Sequence, residues 1–162
     1  MSKICIHWEK EALKFKELGM RVIIFRFGVV LGKGGGALSD LVPIFKWGLG
    51  GKIGSGEQGL PWVYLEDLAR TFLWAIKNEK AMGIYNLCSP DITTNKKFTK
   101  TLASVLKRPA FFRIPQFVIK IKLGEGAVAL TTGPKVMPTR LLREGFQFNA
   151  KGLKETLEII LN

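Results

Sequence analysis

The sequence predicts an α/β fold built around a parallel sheet. Residues 3–18 show an amphipathic helical pattern, with apolar side chains three and four positions apart, and a glycine and a short apolar run follow. A helix, a glycine turn and a buried strand make one α/β unit, and a second strand–helix pair follows at residues 62–77. Strands that alternate with helices in this way are typical of parallel sheets.

The first part of the chain is expected to hold two helices, one strand and two glycine-rich loops. Gly19 should end the first helix, and the apolar run at 22–25 predicts a strand covered on both faces. A glycine-rich loop follows, and then a short helix at 38–47, in which Pro43 marks a kink or a start. The stretch 48–59 is too rich in glycine to predict a regular element.

The middle of the chain alternates strands and helices. We predict a strand at Trp62–Tyr64, a helix at 66–77, a strand at 83–89 and a helix at 93–108 that begins with a Thr/Asn cap and stops at Pro109. The predicted apolar face of the helix at 66–77 is formed by Leu68, Phe72, Ala75 and Ile76.

The composition of the chain changes from residue 110 onward. Short helical segments joined by proline and glycine predict a small α-rich lobe, with a brief strand at 146–148 and an amphipathic helix closing the chain at 150–162. We therefore divide the chain at this point into residues 1–109 and residues 110–162.

Charge and composition limit the classes of function. The net charge is +12, but the cations are spread, and those of the helix at 93–108 and its end predict a solvated face: Lys96, Lys97, Lys100, Lys107 and Arg108. No aromatic–basic RNA-binding motif is present, and no apolar run is long enough to span a bilayer. The N-terminal residues lack the apolar core of a signal peptide. We expect a cytoplasmic protein with neither nucleic acid nor membrane as a partner.

The few cysteines and the single histidine predict no metal site. Cys5 and Cys88 do not form a Cys-x-x-Cys pair, and one histidine cannot complete a zinc set. Both thiols are expected to be buried, and His7 is expected to lie on a helix surface.

The glycine loop after the first strand has two interpretations. Residues 32–37 match G-x-G-x-x-A between a strand and a helix, which is the pattern of a dinucleotide-binding loop. That pattern also requires an acidic residue at the end of a second strand, about 20 positions on, whereas Glu57 lies in a second glycine loop. We therefore favour a mobile substrate loop.

Sequence motifs for common catalytic groups are missing. No Tyr-x-x-x-Lys couple, in which the lysine lowers the pKa of the tyrosine, occurs in the chain, and no G-x-S-x-G nucleophile elbow is present. Trp62 and Tyr64, followed by Asp67, are consistent with packing and helix capping or with a role facing the substrate, and the sequence leaves both open.

One family resemblance runs through nearly the whole chain. It rests, in order, on the segments RFGVVLGKGGGAL, GLGGKIGSGEQGLPWVYLEDLA, GIYNLCSP, KRPAFFRIP and LLREGFQF, and on the ending LKETLEIIL. Together they resemble an atypical extended branch of the short-chain dehydrogenases, whose members are called epimerase family proteins or sugar-nucleotide epimerases, and sometimes cell-division inhibitors. Residues from about 113 onward are similar to the small C-terminal domain of that family.

The resemblance implies the C-terminal part of a Rossmann-like NAD(P)-binding fold. The segment ICIHWEK resembles the helix that carries Tyr-x-x-x-Lys in the superfamily, and aligning Glu9 with a recurrent glutamate puts Cys5 at the lysine position and Met1 at the tyrosine position. The family tends to have Trp-Ile-His where this chain has Trp62-Val63-Tyr64, so that Tyr64 takes the place of the histidine.

Site residues follow from the resemblance by position. Arg26, Phe27, Gly28 and Val29 are expected near the nicotinamide end of NADP or NAD, although an ion pair or a helix contact is an equally open role for Arg26. The residues expected to line the substrate side are Gly34, Gly35, Gly36, Ala37, Gln58, Trp62 and Tyr64. The resemblance assigns no catalytic residue and no metal ligand.

The expected function is the substrate-binding half of an NAD(P)-dependent epimerase or dehydratase acting on a small molecule such as a nucleotide-sugar. Without the glycine loop and the Tyr-x-x-x-Lys couple, the chain alone is expected to bind the cofactor weakly and to show no turnover. The alternative is a non-catalytic interaction module, or a split-gene subunit that pairs with an N-terminal half or with itself.

Overall fold

The computed structural model describes residues 3–117 and 131–162, and it confirms the α/β fold class with parallel strand pairs flanked by helices. In chain order the elements are α1 (Lys3–Lys14), a 3₁₀ helix (Phe15–Leu18), β1 (Ile23–Phe27), β2 (Val29–Leu31), α2 (Gly36–Lys46), β3 (Gly51–Ile53), β4 (Trp62–Tyr64), α3 (Leu65–Lys77), β5 (Gly83–Leu87), α4 (Asn95–Val105), β6 (Phe112–Ile114), α5 (Thr139–Arg143) and α6 (Leu153–Leu161).

One extended stretch of chain, β1 followed by β2, pairs with two different strands. β1 lies parallel to β5, and β2 lies parallel to β4, with Leu31 opposite Tyr64. Gly28 joins the two pairings, and its N–H points to the Leu87 carbonyl oxygen at 3.4 Å. A side-chain carbon at Gly28 would lie 2.2 Å from the carbonyl oxygen of Pro61, so only glycine fits this crossing.

The first helix and its glycine end are confirmed, but the burial expected for β1 is wrong. Gly19 adopts a left-handed conformation with φ 75° after the 3₁₀ helix. β1 is half-buried at best, and Phe27 is 57% exposed. The physical reason is that α1 buries none of its residues, and within the described ranges β1 has a hydrogen-bonded neighbour only in β5.

Two predictions of local structure are corrected by long-range pairing. The glycine-rich stretch 48–59 contains β3, which pairs in parallel with β6, placing Gly51 opposite Phe112. A side-chain carbon at Gly51 would lie 2.4 Å from the Phe112 carbonyl oxygen, so the glycine permits the close approach. Residues 146–148 form no strand, and the Phe146 and Phe148 rings pack edge to face with centroids 4.9 Å apart.

The helices match their predicted positions better than their predicted faces. α4 is capped as expected, since the Thr94 hydroxyl accepts the Lys97 N–H. Pro43 lies inside α2 and does not begin it. The buried residues of α3 are Asp67, Thr71 and Ala75, whereas two members of its predicted apolar face, Phe72 and Ile76, are exposed. Cys88 is buried as expected, but Cys5 is exposed on α1.

Two hydrophobic clusters hold the described residues together, and both include the C-terminal part of the chain. Trp62 belongs to the first cluster with Leu102 of α4 and Leu157 of α6, and Tyr85 belongs to the second with Leu141 of α5. Residues on both sides of the predicted division at 109/110 therefore share the same packing. The division into two domains stays a prediction. None of the helices that the structure describes is long and apolar enough to cross a bilayer.

Two carboxylates hold the C-terminal segment against the rest of the chain. Asp67, fully buried at the start of α3, accepts the Asn149 N–H at 2.7 Å and the Ala150 N–H at 2.9 Å. Asp91, after β5, accepts the Leu153 N–H at 3.1 Å in the first turn of α6, where helix N–H groups lack partners within the helix. The open role of Asp67 is thus decided in favour of a structural one.

Asp67→Asn is expected to lower the free energy of unfolding by about 2–3 kcal/mol, because an amide NH₂ would then face a buried backbone N–H. Urea denaturation of the full chain measures the change. Asp40→Asn is the matched control, since Asp40 is exposed on α2 and should tolerate the change within about 0.5 kcal/mol. Equal stability of the two variants would contradict the role given to Asp67.

A second prediction concerns the end of α4, where Lys107 occupies the left-handed region with φ 53°. The Lys107 N–H donates to Ser104 and the Arg108 N–H donates to Ala103, which is the Schellman pattern that favours glycine at this position. Lys107→Gly should raise the free energy of unfolding by about 1 kcal/mol. Lys107→Ala removes the same charge without the conformational gain, so a glycine variant no more stable than the alanine variant would refute this interpretation.

Candidate functional site

The glycine loop and Tyr64 meet at the carboxyl ends of two paired parallel strands. Leu31 ends β2 and Tyr64 ends β4, and the two residues are opposite each other in the register. The loop that follows β2 passes next to the start of α3, where a side-chain carbon at Gly32 would lie 2.9 Å from Leu65. In open α/β sheets this end of the strands is where ligands bind.

The loop itself is open to solvent. A side-chain carbon at Gly34 or Gly35 would meet no atom within 4 Å, and Gly34 and Gly36 have φ values of 79° and 66°. Ala37 lies in the first turn of α2 and is half-buried. These features favour the substrate-loop interpretation over the dinucleotide pattern, because Glu57, the nearest acidic candidate, pairs with Lys96 at 3.2 Å and is not at a strand end.

A cavity of about 590 Å³ lies beside Tyr64, between the start of α3 and α6. Two of its polar lining residues, Tyr64 and Glu66, lie at the end of β4 and the start of α3. The others come from the C-terminal segment: Asn149, Lys151, Glu155, Thr156, Glu158 and Asn162. A cavity of this size is large enough for a small-molecule ligand.

The phenol of Tyr64 is suited to donate a hydrogen bond. Partial burial raises the pKa of Tyr64, and hydrogen bonding to the neighbouring carboxylate of Glu66 raises it further. Tyr64 therefore keeps its proton at neutral pH and is a poor general base. Its single O–H is engaged by Glu66, so Tyr64 donates to a ligand oxygen only by turning that proton away from Glu66.

Two residues predicted on the substrate side are placed in the packing and not on the cavity wall. Trp62 is buried, and its indole N–H donates to the Thr93 hydroxyl at 3.1 Å. Gln58 is half-buried, and its side-chain amide donates to the Ile53 carbonyl at 3.1 Å. In this structure both residues support the loops around the site.

The predicted cofactor residues lie along the β1–β2 stretch. Arg26 forms a two-point ion pair with Glu9 of α1, with both N···O distances 2.6 Å. This pairing lowers the pKa of Glu9 and raises the pKa of Arg26. Phe27 is exposed, whereas Gly28 and Val29 are held by backbone contacts, with the Val29 N–H donating to Pro61. Of the roles left open for Arg26, the structure has the ion pair, which Arg26 forms with Glu9.

Several residues around the site gave no usable sequence signal. Glu9 lies 17 residues before Arg26 in the sequence, and Asn149 and Lys151 lie more than 80 residues after Tyr64. Glu66 is two residues from Tyr64, and its acidity at a helix start was the one available indication. His7 and Cys5 are exposed on α1, while Met1 falls outside the described residues. Across residues 3–117 and 131–162, no three His, Cys, Asp or Glu side chains are grouped as metal ligands would be.

Comparison with known proteins gives two family matches. Residues 1–88 match the NAD dependent epimerase/dehydratase family, which is more than half of the chain, and residues 114–160 match a domain of unknown function, DUF1731. Among curated relatives, the chloroplastic "epimerase family protein SDR39U1 homolog" of Arabidopsis thaliana is 38% identical over 161 residues, which cover 99% of this chain and 46% of the relative.

Solved structures agree with this assignment. The human epimerase family protein SDR39U1, crystallised with NADPH, is 38% identical with a TM-score of 0.83, and the match covers 87% of this chain and 48% of the human chain. A nucleoside-diphosphate sugar epimerase from Corynebacterium glutamicum shares the fold at 24% identity with a TM-score of 0.77, over 98% of this chain and 30% of its own. The chain spans about half the length of the curated relatives it matches.

The Arg26–Glu9 pair generates a testable prediction, since it joins α1 to β1. Glu9→Gln should increase hydrogen exchange in α1 several-fold at neutral pH, measured by mass spectrometry. Because the pKa of Glu9 is lowered in the folded protein, the protection is present at neutral pH and is lost as the pH falls through that lowered value. Glu11→Gln is the matched control: Glu11 pairs with Lys14 within α1, so it should leave the contact to β1 intact.

Proposed function

Since the chain belongs to the NAD dependent epimerase/dehydratase family, we propose that it forms the substrate-binding part of an NAD(P)-dependent epimerase or dehydratase. The observation that supports this proposal is that the open glycine loop begins, and Tyr64 lies, at the carboxyl ends of the paired strands β2 and β4. The human relative crystallised with NADPH supports the choice of cofactor class.

The proposed substrate is a small polar molecule such as a nucleotide-sugar. Tyr64 would donate a hydrogen bond to a sugar oxygen, and the carboxylate of Glu66 and the amide of Asn149 would accept or donate to hydroxyl groups. The glycine loop begins at the same end of the paired strands, and Gly34 and Gly35 have no side chains that would block a ligand there. The cavity lining carries three glutamates and one lysine, so an anionic group of the ligand is expected to lie outside it, towards Lys33 of the glycine loop.

The described residues fit only one end of a dinucleotide. Phe27 is exposed at the carboxyl end of β1 and could contact a nicotinamide ring, but Arg26 beside it is already paired with Glu9. The glycine loop lacks the acidic strand end that a dinucleotide-binding loop requires. When bound, the cofactor would supply hydride chemistry, and we propose that this chain alone neither binds it tightly nor turns over substrate.

The missing contacts would come from further polypeptide that adds a strand to β1. Within the described part of the chain, β1 pairs only with β5, and Phe72, whose ring lies 5.1 Å from that of Phe25, is still exposed. The apolar face of α1 and the 3₁₀ helix is exposed as well, with Ile4, Trp8, Phe15 and Leu18. An unpaired edge next to apolar surface is a site for strand addition. The partner could be another segment of the same protein or a separate chain.

A second candidate function, a non-catalytic interaction module, is favoured by the same exposed face. In that case a second copy of the chain would cover β1 and α1, and no cofactor would be involved. Size-exclusion chromatography with light scattering separates the two candidate functions. A self-associating module predicts a dimer of the chain, whereas the substrate-binding part of an enzyme predicts no specific dimer.

The proposal is tested by titrating NADPH fluorescence. The isolated chain should bind NADPH weakly, and adding a polypeptide that carries the remaining strands of a nucleotide-binding domain should restore saturable binding. Tyr64→Phe, which removes the donor while keeping the ring, should weaken binding of a nucleotide-sugar by about tenfold in the reconstituted complex. Ser104→Ala, which removes an exposed hydroxyl of α4 that does not line the cavity, is the control. Tight NADPH binding by the isolated chain would overturn the proposed lack of a complete cofactor site.

A further inference from the structure

Two helices, α2 and α4, end side by side. α2 ends in a Schellman motif, with the Gly48 N–H bonded to Phe45 at 2.9 Å and the Leu49 N–H bonded to Ile44 at 3.1 Å. α4 ends in the same motif around Lys107. The two ends touch, because a side-chain carbon at Gly48 would lie 3.7 Å from Pro109.

These helix ends present large apolar side chains to solvent. Trp47 is 83% exposed and Leu49 is 58% exposed on either side of Gly48, and Phe111, two residues after Pro109, is 90% exposed. The Schellman bonds fix the backbone that carries Trp47 and Leu49. Together with the neighbouring cations Lys46, Lys107 and Arg108, these three side chains are called the Trp47 patch.

The Trp47 patch lies in an acid-free part of the chain. Residues 41–56 and residues 92–117 contain no Asp or Glu, although the chain has 13 acidic residues. Lys46, Lys107 and Arg108 are exposed, and none of them forms an ion pair with a described residue. Cations at helix C-termini are favoured by the helix dipole, which accounts for the charges. The dipole does not account for exposed Trp47 and Phe111.

We propose that the Trp47 patch docks the protein peripherally on an anionic phospholipid surface. Exposed aromatic and aliphatic side chains that have Lys46, Lys107 and Arg108 close to them in the chain match the apolar boundary and the charged headgroups of such a surface. A second copy of the chain fits less well, since equal positive charges would face each other. A nucleic acid would use the aromatic rings for stacking but would gain nothing from Leu49.

This proposal revises the expectation that a membrane is not a partner. That expectation rested on the absence of a spanning apolar run, whereas the Trp47 patch joins residues about 60 positions apart in the sequence. A sequence window of the length used to find a membrane-spanning run, about 20 residues, does not contain both Trp47 and Phe111.

Vesicle sedimentation with the full chain tests the proposal. The chain should bind mixed phosphatidylcholine–phosphatidylglycerol vesicles, should bind pure phosphatidylcholine vesicles far more weakly, and should be released by salt. The double variant Trp47→Ala/Phe111→Ala should weaken binding to the anionic vesicles by at least about tenfold. Unchanged circular dichroism of the variant would establish that it still folds.

Trp8→Ala is the matched control, because Trp8 is also exposed, at 68%, on a helix that carries lysines. It should leave vesicle binding unchanged. Loss of binding with Trp8→Ala but not with the double variant would overturn the proposal, as would equal binding to neutral vesicles or no binding at all. Tighter binding of a single-stranded oligonucleotide through Trp47 and Phe111, or a dimer abolished by the double variant in light scattering, would assign the patch to another partner.

Discussion

The lack of a side chain at Gly28 is the constraint on which the rest of the site depends. With the Pro61 carbonyl 2.2 Å from the position of a side-chain carbon, only glycine lets one extended stretch pass from β5 to β4. That passage sets Arg26 and Phe27 beside β5 and brings Leu31 opposite Tyr64. Both predicted halves of the site, the cofactor end and the substrate end, therefore take their positions from a single close backbone contact.

The substrate end also depends on how the C-terminal segment is fastened. Asp67 and Asp91 accept backbone N–H groups of that segment, and Tyr85 bonds Glu144 at 2.8 Å while Arg140 lies 4.0 Å above its ring. Most of the cavity beside Tyr64 is lined by residues after 148. The cavity consequently exists only when the segment is docked, which ties the stability of the C-terminal part to the shape of the candidate site.

The two exposed apolar surfaces differ in a way that indicates different partners. The surface around β1 combines a strand edge that no strand of residues 3–117 or 131–162 pairs with and apolar side chains on α1 and α3, a geometry that further strands would complete. In the Trp47 patch the apolar side chains are accompanied by Lys46, Lys107 and Arg108, which form no ion pair with a described residue. This difference is consistent with the proposal that further strands cover the first surface and that the second docks on a phospholipid surface.

The sequence by itself determined the α/β class, the helix that ends at Gly19, the strand at Trp62–Tyr64 and the Thr94 cap, because these follow from periodicity and local hydrogen bonding. Tertiary structure alone decided that Gly51 belongs to a strand, that residues 146–148 do not, and that Arg26 is engaged by Glu9. Each of these depends on a partner at least 17 residues away or on ring packing. Local pattern specifies what an element can be, whereas contacts between distant segments determine which surface it buries.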